Sequence, residues 1–335
     1  MTEPLAAAAV HRAVGPLMNV SPRVGVRLTL VNIVVVNALL VTTFAAPGWP
    51  LFLALATLTG LFYCSVMMTT HDAIHHTLTG WYWFDEIVPR VFSYFVFWPH
   101  GLYSELHKMH HRMNGRDLAD PEQPTPTVAA YRAASLTGRF LMRHQWQASL
   151  LVGGGVGMIV RHVRAGLRLW PRHPVIRRLM VTDALGIAAA TAVTLTVIIA
   201  VGVTWRYAVY LLVVERVMGY CQQLRSHVEH YGLHGAQATL LETRLYNCRN
   251  VRTSRLVSRF FNGLNFHAVH HAFPAVPFYH LREAHTRLAA LCAAAGRPLI
   301  EEDGYLRTLR RLAATPLLID GAGPSRAPRS GREVA

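Results

Sequence analysis

Four long apolar stretches dominate the hydrophobic pattern of the chain, and each approaches the roughly 20 residues that a helix needs to cross a bilayer. A tight turn at 47–50 separates the first stretch from the second, and the short segment 202–206 joins the third to the fourth. Such short connections predict two helical hairpins whose turns lie on one side of the membrane. The predicted spans cover approximately residues 28–46, 50–70, 179–201 and 207–224.

Two further apolar segments fit the pattern of a span less well. Residues 88–103 contain Pro89, Arg90 and Pro99, so this segment is expected to form an interfacial or re-entrant helix. Residues 147–160 are few and rich in Gly, and are expected to lie along the membrane surface. The sequence therefore predicts an all-α integral membrane protein with four transmembrane helices in two hairpins.

The formal net charge of +15 would suit nucleic acid, an anionic membrane surface or an acidic protein partner. The positions of the charges decide among these, because twelve Lys and Arg residues lie between 104 and 178, whereas the two short turns contribute only Arg206. By the positive-inside rule both termini and both large loops are cytoplasmic. Membrane topology then explains the charge, and no nucleic-acid partner is expected.

The ends of the chain are predicted to lie outside the membrane domain. Residues 1–27 lack the basic and apolar pattern of a signal peptide and are interpreted as a cytoplasmic segment. Residues 28–312 form the predicted membrane domain. Residues 313–335 are predicted to be a disordered tail, because the stretch from 321 onward is rich in Gly, Pro, Ser and Arg.

The four cysteines, Cys64, Cys221, Cys248 and Cys292, form no CxxC pair. This spacing supports neither a zinc ribbon nor a redox pair. We interpret all four as reduced packing cysteines.

The histidines carry the main chemical signal, since 11 of the 19 fall in four short clusters. Residues three and four apart share one face of a helix, so each HxxHH or HxxxHH segment directs its imidazoles toward one point. Imidazole-rich, thiolate-poor ligand sets suit iron, zinc or copper. The clusters contain His71, His75 and His76; His107, His110 and His111; His227 and His230; and His267, His270 and His271.

The number of clustered imidazoles bears on how many metals they hold. Nine or ten nitrogens exceed what one metal with open positions can take, and they favour two metals. A structural zinc site would be closed by four ligands, commonly with Cys among them. Open positions on a nitrogen-rich site indicate dioxygen chemistry instead.

At these residues the sequence resembles the membrane fatty-acid desaturase superfamily, which includes acyl-lipid desaturases, alkane hydroxylases and carotenoid ketolases. The match is to three boxes, HxxxHH, HxxHH and HxxHH, and covers about residues 28–290. Asp120-Pro121 and Phe273-Pro274 resemble the surroundings of the second and third boxes in acyl-lipid desaturases. Glu229-His230-Tyr231-Gly232 resembles the EHYG element of alkane hydroxylases, whose His is an additional iron ligand.

The resemblance implies a cytoplasmic helical cap that holds a di-iron site and uses dioxygen as co-substrate. One of His75 and His76 is expected to lie outside the set of direct ligands, and His227 is a further candidate ligand. Asp72, Asp120, Glu229 and Asn265 are candidates for orienting the imidazoles. The implied iron ligands are His71, His75, His76, His107, His110, His111, His230, His267, His270 and His271.

The substrate and the electron donor are less closely specified. No cytochrome b5, ferredoxin or rubredoxin motif is present in the sequence, so a separate ferredoxin-type donor with its reductase is expected, and an Arg-rich cytoplasmic face would suit an acidic one. The leading hypothesis is a desaturase of a fatty-acyl or lipid-like chain. Ala268-Val269 stands where many acyl-lipid desaturases have Val-Glu, which keeps open a desaturase of a small specialised metabolite. The EHYG element keeps open a hydroxylase of an alkyl or lipid substrate.

A membrane metal transporter is the alternative from a different class. Its ligands would be expected near the bilayer midplane on broken helices. Here every cluster follows the end of a predicted span or lies in a predicted cytoplasmic loop, which disfavours transport.

Overall fold

The computed structural model describes residues 7–320 and 332–333, and helices dominate it as the sequence predicts. Short 3-10 turns occupy Gly15–Met18 and Phe278–His280, and a π turn occupies Ala148–Gly153. The helices are α1 (Ala7–Val14), α2 (Pro22–Ala45), α3 (Trp49–Ile74), α4 (Tyr82–Tyr94), α5 (His100–Met113), α6 (Val128–Ala133), α7 (Leu136–Arg143), α8 (Gln145–Gln147), α9 (Gly154–Leu169), α10 (Pro174–Val201), α11 (Thr204–His230), α12 (Leu240–Tyr246), α13 (Arg255–Phe260), α14 (His267–Ala272), α15 (Leu281–Ala294) and α16 (Tyr305–Ala314).

Four short strands accompany the helices in the described part of the chain. β1 (Asn250–Arg252) pairs in parallel with β2 (Glu301–Asp303), and β3 (Leu317–Leu318) pairs antiparallel with β4 (Arg332–Glu333).

The chain divides into two compact units. The first, which we call the histidine-rich unit, comprises Met1–Asn19, His107–Ser149 and Leu224–Ala335. The second, which we call the apolar unit, comprises Val20–Leu106 and Leu150–Gln223.

Within residues 7–320, four helical segments are long and apolar enough to cross a membrane: Pro22–Ala45, Trp49–Ile74, Gln145–Leu169 and Pro174–Val201. Three of them coincide closely with the first three predicted spans. The predicted fourth span, 207–224, lies within α11, which is long enough but is interrupted by charged and amide side chains and is not among the four.

Segment 147–160, which was expected to lie along the membrane surface, belongs to a longer helical run. The π turn joins α8 to α9, so that one helical run of 25 residues extends from Gln145 to Leu169. The expectation of a short segment was wrong because its glycines do not end the helix.

Segment 88–103, expected to form one interfacial or re-entrant helix, is divided between two helices. α4 ends at Tyr94, α5 begins at His100, and Phe97 between them has a φ of 58°. The carboxylate of Asp183 in α10 fixes this break, because it accepts hydrogen bonds from the Tyr94 hydroxyl (2.8 Å) and from the backbone N–H of Gly101 (3.1 Å) and Leu102 (2.7 Å).

Within the apolar unit, α11 packs closely against the start of α9. Arg216 donates to the carbonyl oxygens of Val152 and Gly153, and Glu215 accepts from the backbone N–H of Val156 at 2.6 Å. These side chains satisfy backbone groups that the π turn leaves without their α-helical partners.

The predicted tail begins too early. α16 continues to Ala314, β3 follows, and the side chain of Ile319 is buried. The backbone N–H of Leu317 donates to the Tyr231 hydroxyl at 2.8 Å. Residues 313–320 are therefore ordered, and residues 321–331 and 334–335 of the predicted tail lie outside the described residues.

The close approach of α9 and α11 depends on a glycine in each helix. A β-carbon added at Gly219 would lie 1.9 Å from the backbone nitrogen of Gly155, a distance that only movement of the backbone can relieve. A β-carbon at Gly157 would meet nothing closer than the Gln223 side-chain nitrogen, at 3.8 Å.

We therefore expect Gly219→Ala to lower the free energy of unfolding by about 1–3 kcal/mol, the usual cost of overpacking. Gly157→Ala should be neutral or stabilising by up to about 1 kcal/mol, because Ala favours a helix over Gly. Thermal unfolding of both variants in the same detergent measures the difference, and equal midpoints would contradict this packing.

Candidate metal centre

The second histidine box lies on α5, where the spacing of three and four residues places its imidazoles on one face. The Nε2 atoms of His107 and His111 are 3.0 Å apart. The Nδ1 atom of His110 lies 2.8 Å from the Asp120 carboxylate. All three side chains are buried, as the sequence predicts for ligands that converge inside the protein.

The third box forms the short helix α14, which polar side chains anchor to β1. The Asn250 side chain accepts from the backbone N–H of Ala268 at 3.1 Å. Asn265 donates to the carbonyl of Val251 at 2.9 Å and accepts from the Ser258 hydroxyl. These bonds orient α14, so Asn265 acts on the backbone, and its side-chain hydrogen bonds do not reach an imidazole as the sequence analysis expected.

The fourth cluster separates into two different environments. His230, the last residue of α11, has its Nε2 atom 2.8 Å from Nε2 of His267. The ring of His227 packs against Trp146, with the two ring centroids 5.0 Å apart. Within the described residues, His227 is not one of those whose donor atoms converge.

In the histidine-rich unit the donor atoms form two groups, and within each group they lie within 4.8 Å of one another. One group contains His107, His111 and His270. The two groups adjoin, because the ring of His111 stacks on that of His271 with 4.1 Å between centroids. The other group contains His230, Cys248, His267 and His271. His110 adjoins the second group, since its ring lies 4.7 Å from that of His230 and 4.8 Å from that of His271.

Three imidazoles of this unit have a carboxylate beside Nδ1, the nitrogen that faces away from the donor groups. Asp120 lies beside His110 (2.8 Å), Glu122 beside His107 (3.3 Å) and Glu229 beside His267 (3.3 Å). A carboxylate there holds the proton on Nδ1, which leaves the lone pair of Nε2 directed at the donor group. Asp120 and Glu229 were predicted from the sequence to orient imidazoles. Glu122 was not predicted, although it directly follows Asp120-Pro121.

Glu229 is the most connected of these carboxylates. It receives hydrogen bonds from the Arg225 guanidinium (3.0 Å) and the Tyr305 hydroxyl (2.7 Å). Burial raises the pKa of Glu229 to about 8, against the opposing effects of Arg225 and Tyr305. A cation held by His267 would favour the carboxylate form in the same way as Arg225.

Cys248 is a member of the second group that the sequence analysis did not identify. Its sulfur lies 3.7 Å from Nδ1 of His230 and accepts a hydrogen bond from the Asn114 side chain at 3.1 Å. Cys248 therefore occupies beside His230 the place that carboxylates take beside His107, His110 and His267. Cys248 is buried with a free thiol, and its position beside His230 goes beyond the packing role that the sequence suggests. Only its position 19 residues before His267 could have signalled this.

The first box lies at the end of α3 in the apolar unit. His71 and His75 face each other with ring centroids 5.2 Å apart. His76 has a φ of 54°, and its ring packs against Tyr82 at 5.1 Å. The Asp72 carboxylate is 3.9 Å from Nδ1 of His71, beyond hydrogen-bond distance. This geometry favours His75 over His76 as the partner of His71.

The donor groups of the histidine-rich unit fit a transition metal. Burial lowers the pKa of His107, and it lowers the pKa of His230, His267 and His271 well below the ordinary value, which favours the neutral imidazole that can bind a metal. Two nitrogens bound at right angles to one metal at roughly 2.1 Å would lie about 3.0 Å apart. The Nε2 separations of 2.8 and 3.0 Å match that distance.

Apolar helices of spanning length and a buried imidazole cluster that could hold metal ions are the features of a histidine-rich membrane protein with a candidate metal centre. Comparison with known families makes this class specific, since residues 47–302 match the model of the fatty acid desaturase family over more than half of the chain. The chain belongs to that family, whose members are oxidoreductases, and the predicted resemblance is confirmed.

Two curated plant proteins are similar to the chain. A Delta(12)-acyl-lipid-desaturase of Punica granatum is 26% identical over 266 residues, which cover 71% of this chain and 64% of the relative. The Delta(12) fatty acid desaturase FAD2 of Calendula officinalis is 25% identical over 264 residues, which cover 71% of this chain and 65% of the relative. The chain thus spans less than two-thirds of the length of either relative.

The carboxylate beside His110 can be tested with a matched pair of substitutions. Asp120→Asn should lower the affinity for bound metal about 10- to 100-fold, because an amide does not hold the Nδ1 proton as a carboxylate does. Asp117→Asn makes the same change at an exposed position in the same loop and should leave the affinity unchanged. Metal content after dialysis against graded chelator measures the difference, and equal retention by the two variants would refute this role of Asp120.

Proposed function

We propose that this chain is a membrane-bound, dioxygen-dependent di-iron desaturase that introduces a C=C bond into a fatty-acyl chain. The observation that carries the proposal is the pair of donor groups in the histidine-rich unit, built from the second and third boxes of a desaturase-family chain. Two groups of donors suit two metal ions better than one. The similarity to two Delta(12) desaturases supports a fatty-acyl substrate.

We assign the ligands by combining this geometry with the family resemblance. His107, His110, His111, His230, His267, His270 and His271 would hold iron from the histidine-rich unit. His71 and His75 would be the contribution of the first box, with His76 outside the set. Bound ferrous ions would supply the electrons that activate dioxygen for hydrogen removal from an unactivated C–H bond.

The residues around the ligands would keep the imidazoles neutral, fix their orientation and exclude water from the centre. Asp120, Glu122 and Glu229 hold protons on the outward imidazole nitrogens. The seven imidazoles are each at most 6% exposed, so bulk water is largely excluded from them. An enclosed site of this kind favours delivery of the oxidising power to the substrate rather than to solvent.

We also propose the topology and the electron source. The basic residues between 104 and 178 and after 224 favour a cytoplasmic location for both termini and for the histidine-rich unit. A separate ferredoxin-type protein with its reductase would deliver electrons there. The substrate would enter from the bilayer.

A hydroxylase is the second candidate, and one observation favours it. His230 of the EHYG element lies with its Nε2 atom 2.8 Å from that of His267, as an additional ligand would. The same centre could complete the reaction by transferring oxygen in place of removing a second hydrogen.

Product analysis distinguishes these candidates. The chain should be expressed with a ferredoxin and its reductase, and lipids and small metabolites should be compared by mass spectrometry with cells that carry the empty vector. A product lighter by two hydrogens supports desaturation, and one heavier by a single oxygen supports hydroxylation. An iron-loaded, reduced protein that forms neither product would refute the proposal.

The ligand assignment predicts that His270→Ala loses iron and product together. The matched control is His173→Ala, which removes an exposed imidazole before α10. Elemental analysis should find about two irons per chain in the control and in the wild type, and substantially less in His270→Ala. Unchanged activity of His270→Ala, or a wild-type protein that holds only exchangeable zinc or copper, would contradict the assignment.

A further inference from the structure

The histidine-rich unit contains an open cavity of about 750 Å³ that the proposed chemistry does not use. Segment 252–261 forms one part of its wall, and segment 304–307 forms another. Its lining is largely apolar, with Val257, Phe260, Phe261 and Leu306 among the contributing residues. We call this feature the α13–α16 cavity, after two helices that contribute to its lining.

The wall of this cavity is connected with the histidine cluster through the carboxylate of Glu229. Tyr305 lines the cavity, and its hydroxyl donates to one oxygen of Glu229 at 2.7 Å. The other oxygen of Glu229 lies 3.3 Å from Nδ1 of His267. One hydrogen bond and one close carboxylate–imidazole contact therefore connect the wall of an open cavity with an imidazole whose Nε2 faces that of His230.

The surroundings of the cavity carry an excess of positive charge. Arg255, Arg259, Arg307 and Arg310 are exposed on α13 and α16, and Arg252 and Arg307 belong to the cavity lining. The nearby acidic side chains are those of β2, where Glu301 and Asp303 pair with Arg252, and Glu302 pairs with Arg311. Six arginines thus face three carboxylates, and the local charge is positive.

Exposed apolar side chains accompany these arginines. Leu256 is 78% exposed and Leu306 is 56% exposed, on the same two helices. An apolar centre surrounded by arginines is typical of a protein–protein interface, and the sign of the charge selects an acidic partner. An anionic bilayer would also suit these side chains, but a bilayer contact gives no reason for a chain of polar contacts from the cavity wall through Glu229 to His267.

We propose that the α13–α16 cavity is the docking site of an acidic one-electron donor protein, and that Tyr305, Glu229 and His267 form the route by which its electrons reach the metal centre. The inference rests on the proposed desaturase function. Each docking event oxidises the donor by one electron and reduces the metal centre by one. Two such electrons, two protons and two hydrogens from the substrate reduce one dioxygen to two waters and leave one C=C bond.

Charge reversal on the rim tests the docking site. Arg307→Glu and Arg255→Glu should each raise the Kd for a reduced plant-type [2Fe–2S] ferredoxin by about tenfold at low salt and flatten its dependence on ionic strength. Arg132→Glu is the matched control, because it makes the same change at an exposed position of the same unit outside the cavity lining, and its Kd should match that of the wild type. Iron content should be equal in all four proteins.

The route is tested separately from the docking site with Tyr305→Phe, which removes only the hydroxyl that reaches Glu229. Single-turnover reduction of the iron should be measured in stopped flow at saturating ferredoxin, so that any change in Kd does not affect the rate, and it should slow several-fold. Reduction by dithionite, which does not need the docking site, serves as the measure of an intact centre. An unchanged ferredoxin rate in Tyr305→Phe would overturn the route.

The outcomes separate this inference from the proposed function. Equal effects of Arg307→Glu and Arg132→Glu on the Kd for ferredoxin would overturn the docking site. It would also be overturned if Arg307→Glu abolished binding to anionic phospholipid vesicles but left the Kd for ferredoxin unchanged. Failure of the dithionite-reduced wild type to form any oxidised product would instead refute the desaturase proposal, whatever the Kd values are.

Discussion

The structure of the histidine-rich unit depends on burying many imidazoles together without burying their charge. Neutral imidazole has one proton, and in the interior that proton needs an acceptor on the side away from the donor group. This requirement accounts for the carboxylates that are hydrogen-bonded to His107 and His110, and Glu229 lies close to His267 in the same way. It accounts in turn for Arg225 and Tyr305, which offset the cost of burying Glu229. Without a cation at the centre, the inward lone pairs would face one another at 2.8–3.0 Å.

The short helix α14 and the strands β1 and β2 position the imidazoles of the third box. α14 has only six residues and could not persist alone, because an isolated helix of that length is unstable in water. Asn250 and Asn265 anchor it to β1, and β1 in turn pairs with β2. The strands therefore serve as a frame for a ligand-bearing helix rather than as a sheet with a core of its own.

The sequence predicted the helical class and the histidines of the second and third boxes, because periodicity and ligand spacing are local properties. It could not predict Cys248 or Glu122, since which side chain lies behind an imidazole depends on how distant segments pack. The interpretation of Asn265 failed for the same reason, as its neighbours Ser258 and Val251 come from other elements. The segment predicted at 147–160 was too short, because length and hydropathy do not reveal a π turn that continues a glycine-rich helix through Gly153. The tail was predicted to begin too early, because composition does not reveal the hydrogen bond from the backbone N–H of Leu317 to the Tyr231 hydroxyl.

The spread of the donor atoms along the chain has a consequence for biosynthesis. One donor group combines His107 and His111 with His270, and the other combines His230 and Cys248 with His267 and His271. Both groups require α14, so neither exists until the ribosome has passed residue 271, after all four candidate spanning segments have been made. Neither group can therefore bind a metal until late in synthesis, and the four imidazoles made earlier, those of His107, His110, His111 and His230, lack their α14 neighbours until then.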